Sequence, residues 1–288
     1  MNAATPPKSG MFVILLATAI TAGANGASAR SPAPGDRYEI VRETSSAEQS
    51  SRDNSGATHD RDSYLLRILA SRENGFELEY DLPAKTSAED RARTWQFPVR
   101  VFQPRNGPLQ LLNASELNDR ITKWLAAGKL PRSACGHWVF TWNAFKVECD
   151  PQSVLGALEA LRLPLTPVAV GDTYILPGTG SSGVIKNKDG TLATSMQVNP
   201  DAIRREAAES DLVVGEIMQK PVTFTAALLA RSNDQISGTM TIMLSVDGGG
   251  IVTHQAIHSR IKTRKPNGEI TIRTVDDEID RRLLADDR

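Results

Sequence analysis

Only two cysteines, Cys135 and Cys149, occur among the 288 residues. Two thiols cannot build a multi-bridge scaffold or supply the four ligands of a zinc knot. Neither sign of charge dominates: 33 Lys and Arg stand against 34 Asp and Glu, for a net charge of −1. A general nucleic-acid binder needs a basic footprint, so no nucleic-acid partner is expected. Catalytic signatures are missing as well. There is no G-x-S-x-G elbow, and no serine is paired with an evident base. Past the first thirty residues no apolar run approaches the roughly 20 residues of a membrane-spanning helix. What remains, 40% hydrophobic and 23% charged, is the composition of a globular chain of one large or two modest domains. These absences lean away from an enzyme, with no cofactor and no bound metal expected.

The N-terminus carries the clearest address. Residues 1–10 hold one charge, Lys8, and no acid; Met11 to Ala24 is apolar except at Thr18, Thr21 and Gly23. Ala27-Ser28-Ala29 then offers the small residues that a signal peptidase reads. Residues 1–29 are therefore expected to be a secretory signal, with an uncleaved anchor as the alternative. No cysteine follows the apolar run, so lipoprotein processing is not expected. The expected compartment is periplasmic or extracellular, where paired cysteines are oxidised.

Beyond the signal the pattern is mostly strand-like. Tyr38 to Glu43 and Ser63 to Ser71 read as strands, and the polar tract between them, without apolar period, reads as a long mobile loop. Phe76 to Leu82 alternates with period two after the turn Asn74-Gly75. Phe97 to Phe102 and Leu109 to Leu112 bracket another turn at Asn106-Gly107. A helix is expected from Asn113, capped by that side chain with Glu116 reaching back. Leu117, Ile121, Trp124 and Leu125 form its face, and Gly128 ends it. Asn113-Ala114-Ser115 also matches a glycosylation sequon, but a cap is the preferred reading. A second helix opens at Asp150-Pro151, buries Leu155, Leu158 and Leu161, and stops at Pro164. A third, shorter one opens at Asn199-Pro200. Strands then return over Val222 to Arg231, Gly238 to Val246 and Ile251 to Lys265. Asn267-Gly268 turns the chain into Ile270 to Val275, before a helix-like Asp276 to Leu284.

Gly35-Asp36-Arg37-Tyr38 is echoed by Gly171-Asp172-Thr173-Tyr174, which suggests a duplication with one curved sheet per half. The boundary is drawn near residue 165: an aromatic-rich β domain with two helices and a cysteine hairpin over 30–165, then an antiparallel β domain with short helices over 166–288. Ten of the 14 aromatic residues after residue 29 lie between Phe76 and Phe145, all four tryptophans included. The first half therefore holds a bulky core or an aromatic-lined cavity, with Trp95, Trp124, Trp138, Phe140 and Trp142 as candidate walls. The expected fold is mainly β within the α+β class, curved antiparallel sheets with two or three packed helices, shaped as two half-barrel-like halves if the duplication is real.

Cys135 to Cys149 contains two β-rich runs around Thr141-Trp142-Asn143. A three-residue loop there sets Phe140 opposite Ala144, Val139 opposite Phe145 and Cys135 opposite Cys149. Directly opposed residues come close enough for a disulfide. A bridge over so short a loop is worth roughly 3 kcal/mol in the chain-entropy account. A metal site using Cys135, His137 and Cys149 would compete with it, and the disulfide is preferred.

The run Trp95-Gln96-Phe97-Pro98, with Cys135-Gly136-His137-Trp138, Phe140-Thr141-Trp142-Asn143-Ala144-Phe145 and Glu148-Cys149-Asp150-Pro151, resembles a family of exported bacterial proteins. The resemblance spans roughly Tyr80 to Leu163. It implies export and carries no activity with it.

Other constellations have plain readings. Gly178-Thr179-Gly180-Ser181-Ser182-Gly183 fits G-x-G-x-x-G, but no helix opens after it, so it reads as a flexible loop. His254 and His258 would lie roughly 13 Å apart on one strand face, too far to share an ion. His59 falls in the polar tract with no partner to name. The pairs Glu77 with Glu79 and Glu148 with Asp150 suit solvent-facing alternation better than glycoside chemistry. Arg260, Lys262 and Arg264 alternate on one face, with Arg273 expected opposite Lys262. That stripe is either a solvated face or a contact for anionic lipid or polysaccharide. The combined expectation is an exported, non-enzymatic envelope protein holding an apolar or amphipathic ligand such as a lipid. The alternative is an interaction module for another envelope protein; an unrecognised hydrolase ranks third.

Overall fold

The computed structural model describes residues 31–52, 55–140, 144–175 and 181–285. The expected signal at 1–29 and the Thr141-Trp142-Asn143 loop lie outside them, as does the first half of the glycine-rich run, whose second half, 181–183, is a short strand rather than the expected flexible loop. The chain is mainly β, built on one large antiparallel sheet with five α-helices among the described residues. The first part supplies β1 (Arg37–Ser50), β2 (Ser55–Arg72), β3 (Gly75–Asp81), α1 (Ala88–Arg93), β4 (Val99–Pro104), β5 (Gln110–Leu111) and α2 (Ala114–Ala127). There follow the small hairpin β6 (Trp138–Phe140) with β7 (Ala144–Lys146), α3 (Val154–Glu159), and the short strands β8 (Thr173–Ile175), β9 (Ser181–Gly183) and β10 (Ile185–Lys186). The rest is β11 (Leu192–Gln197), α4 (Pro200–Ile217), α5 (Phe224–Ala230), β12 (Gln235–Val246), β13 (Val252–Arg264) and β14 (Ile270–Leu283).

Ten of these strands form one sheet in the order β10-β11-β12-β13-β14-β1-β2-β3-β4-β5. It is open, with β10 and β5 at its edges. Instead of a sheet for each half, the ladder between β1 and β14 joins them, from Tyr38 opposite Leu283 to Ser50 opposite Thr271. One core serves both halves: Ile40, Leu66, Leu78 and Val101 share it with Ile242, Leu244 and Ile279. Residues paired across antiparallel strands project to one face, which fixes that core side. Leu117, Ile121 and Leu125 of α2 and Val154 and Leu158 of α3 belong to the same core, so these helices cover that face.

Three sequence expectations give way, each for a physical reason. The polar tract 44–62 is not a loop: β1 and β2 pair through it down to Gln49 opposite Ser55. Most of its side chains are exposed or half-buried, so no apolar period could reveal it. Cross-strand contacts such as Ser46 to Thr58 at 2.8 Å and Arg61 to Glu43 at 3.2 Å take the place of apolar packing. Residues 276–283 are the end of β14, not a helix, because β13 and β1 pair with both edges and override a weak local preference. Residues 224–230 form α5, not a strand. Thr223 accepts the Ala226 amide at 3.3 Å as a cap, and the alanine-rich run that follows favours helix.

The helix starts were better marked. Asn199 accepts two amides to cap α4, which at 18 residues is long, not short. Asp150 caps the 3₁₀ turn ahead of α3 through the Gln152 amide. Asn113 does not cap α2. Its Oδ1 instead accepts the Arg100 amide at 2.9 Å, tying the helix start to β4.

The two G-D-x-Y copies fold into one and the same turn. Gly35 and Gly171 both take the left-handed conformation that glycine tolerates, at φ +93° and +91°. Asp36 accepts the Ala33 amide at 2.8 Å, and Asp172 accepts the Ala169 amide at 2.7 Å. Each motif also exchanges backbone bonds with a facing strand, Gly35 with Ile68 and Gly171 with Val184.

Candidate functional site

Cys135 and Cys149 are joined in a disulfide, with Cα atoms 5.5 Å apart. The register around it is the expected one: Val139 faces Phe145 and Phe140 faces Ala144. The Gly136 amide donates to Val147, whose amide donates in turn to His137, and the Val147 side chain is fully buried. The bridge thus pins a hairpin whose base is seated in the core.

The tryptophans are dispersed. Trp95 is buried in the core at 4% exposure, while Trp124 of α2 and Trp138 of β6 are half-buried. Phe140 is placed in β6 by its backbone, and Trp142 lies outside the described residues. Of two surface concavities, one over β11, β12 and β13 and one over β1, β2 and β3, neither is lined by Trp95, Trp124 or Trp138.

A feature that sequence reading missed lies on the core side of the sheet. Arg281 is 5% exposed and forms no ion pair or hydrogen bond with a carboxylate among the described residues. Its Nη2 donates to the carbonyls of Pro164 (3.1 Å) and Val252, and its guanidinium stands 5.5 Å from the Tyr38 ring centroid. Nη1 is buried with no hydrogen-bond partner among the described residues. Burial pulls this guanidinium below the usual arginine range, opposed by Tyr38, Tyr80 and Asp247. Burial also pushes the phenols of Tyr80 and Tyr174 up to about 12. Tyr174 donates to Gln255, itself buried. The contacts of Arg281 clip the 161–165 crossover to β14, a positioning task. Its only local sequence mark is a basic residue in a predicted helix.

The second feature is the hairpin of α4 and α5. Asp211 holds Arg231 through two hydrogen bonds of 2.7 Å. Gly215 lets the chain fold back: a Cβ there would lie 2.9 Å from the Lys220 carbonyl. Arg273 bears on this hairpin. The register sets Lys262 opposite Ile272, so Arg273 projects from the core-side face and reaches Glu206 of α4 at 2.6 Å. Sequence reading placed it one residue out of register and on the wrong face.

The hairpin is thinly attached. Its buried residues are Ala208, Gly215 and Ala227, and none of its side chains joins the contiguous apolar core. Six of its large apolar residues face solvent: Val214, Ile217, Met218, Val222, Phe224 and Leu229 are all exposed, Met218 at 62% and Leu229 at 72%, while Ile203, Leu212, Val213 and Leu228 are half-buried. Six of the eleven large exposed apolar residues of the described chain thus fall within residues 214–229. Single exposed apolar residues need no explanation, but a concentration of them marks a contact surface.

On the opposite face of the sheet, Arg260, Lys262 and Arg264 do alternate along β13, all exposed. His254 and His258 share that face, and each bonds a carboxylate of β14: Asp280 at 2.9 Å and Asp276 at 2.6 Å. No group of three or more His, Cys, Asp or Glu among the described residues is placed to hold a metal. No helix among them is long and apolar enough to cross a membrane.

No protein-family model matches the chain, and no curated protein sequence does either. Among solved structures, one described as "Lipid-protein interactions in lipovitellin" is similar over 88% of this chain, at 10% identity and a TM-score of 0.40. The match takes in 25% of that longer chain.

Proposed function

We propose that this is an exported, non-enzymatic protein that binds an apolar or amphipathic molecule of the lipid class at the α4–α5 hairpin. The observation that carries this reading is the concentration of six exposed large apolar side chains between Val214 and Leu229, on a hairpin whose fully buried residues are all small. Exposing this much apolar surface is unfavourable in water by roughly 25 cal/mol per Å², and an acyl chain or lipid surface would relieve it. The open sheet and the hairpin's thin attachment leave room for the helices to lift and admit such a chain. Trp95, Trp124 and Trp138 then serve packing rather than a ligand wall.

The test is native mass spectrometry of protein purified from cells that export it. A co-purifying amphipathic molecule is expected, and it should be lost from the Ile217→Ser/Met218→Ser/Leu229→Ser variant. Ligand-free spectra from several preparations, together with no uptake of a fluorescent fatty acid, would contradict the proposal.

A further inference from the structure

On the face of the sheet away from the core, a groove of about 250 Å³ runs over β11, β12 and β13. Arg260 and Lys262 line it, two positions apart on β13, so their side chains leave one face roughly 7 Å apart. The strand ladders place Thr239 beside Arg260 and Ser237 beside Lys262, with Gln197 next to Thr239. Two cations, two hydroxyls and an amide therefore converge on one depression, and Ile272 forms its apolar side. Arg264 continues the row just beyond it.

The charge pattern sets this groove apart from the rest of the same face. There Arg61 meets Glu43, Arg67 meets Glu79, Arg282 meets Glu39, and both histidines meet aspartates. Arg260, Lys262 and Arg264 meet no carboxylate among the described residues. The nearest acid along β14, Asp276, pairs across the ladder with His258 and is bonded by it. Three like charges in a row repel one another, and a bound anion offsets that repulsion. An arginine fork beside an ammonium and hydroxyl donors matches the several acceptor oxygens of a phosphate group.

We infer that this groove binds a phosphate ester of net negative charge. The site lies on the opposite face from the α4–α5 hairpin and does not depend on acyl binding there. The same chemistry is offered by a soluble phosphate ester and by the headgroup of an anionic phospholipid, so the test has two arms. Calorimetry with glycerol 1-phosphate reads the first. Co-sedimentation with phosphatidylglycerol vesicles, against zwitterionic phosphatidylcholine vesicles, reads the second.

Saturable binding is expected in at least one arm, weakened at least tenfold in Arg260→Gln/Lys262→Gln and several-fold in Arg264→Gln. The control Lys85→Ser, at an exposed lysine outside the groove, should bind as the parent does. Binding should weaken as salt rises, since the groove is exposed. Binding in the vesicle arm alone assigns the phosphate to a lipid headgroup; binding in both arms assigns recognition to the ester itself. The inference is overturned by no binding of glycerol 1-phosphate together with either no vesicle binding or equal binding to both vesicle types, or by a double variant that keeps its circular dichroism and binds like the parent.

Discussion

At one end of the sheet Ile68, Leu78 and Val101 share a core with Leu117 and Ile121 of α2, and all five side chains are fully buried. Beneath α4 and α5 the buried residues are Ala208, Gly215 and Ala227, and six large apolar side chains between Val214 and Leu229 face solvent. Both helical layers lie on the same sheet, and both helices that start them are amphipathic in sequence. What separates them is where the bulk goes. Bulk turned inward stabilises a fold; bulk turned outward beside small buried residues costs stability and presents a surface. The α2 end therefore holds the molecule together, and the α4–α5 end is the part free to act.

The largest expected effect that could break this contrast is in the core. Leu78→Ala should cost about 2–5 kcal/mol, read by urea unfolding, because it leaves a cavity in a fully packed site. Next comes the disulfide. Replacing Cys135 and Cys149 together with Ser should cost about 2–4 kcal/mol and leave the hairpin's binding intact.

Alkaline pH should sharpen the same picture. The Tyr80 phenol, raised to about 12 by burial, keeps its proton in the folded chain after the unfolded chain has lost it near 10. Its contribution is complete below pH 10 and is lost as pH rises through 12. The loss amounts to about 2–3 kcal/mol. Tyr80→Phe should flatten that decline in unfolding curves taken between pH 9 and 12. The smallest effect should come from the exposed hairpin. Leu229→Ser should move stability by no more than about 0.5 kcal/mol while reducing uptake of a fluorescent fatty acid. A loss as large as that of Leu78→Ala would erase the contrast between the two ends.

How much of this could be read from the sequence depended on whether a residue's role leaves a local mark. The alternation of Phe76 to Asp81, the α2 face and the register pairing Val139 with Phe145 all leave one, and all match the structure; Asn267-Gly268 marks the place of a turn but not its length. Strands exposed on both faces do not, so the tract through residues 44–62 was legible only once β14 stood beside β1. The Asp-Asp-Glu-Ile-Asp run reads as helix by composition, and only its neighbours β1 and β13 make it a strand. The stripe on β13 was visible by alternation, but a one-residue error in the hairpin register moved Arg273 to the wrong face. The α4–α5 surface escaped because small buried residues beside exposed Val214, Ile217 and Leu229 look like any amphipathic helix until the packing partner is known.

Hydrogen exchange of the intact protein, with and without phospholipid vesicles, bears most directly on the central claim. Exchange reports the local opening that a thinly attached element undergoes. In buffer alone, residues 212–230 should exchange much faster than the paired centres of β1, β2 and β14, and vesicles should slow them selectively. Protection of that hairpin equal to the central strands, unchanged by lipid, would contradict the account.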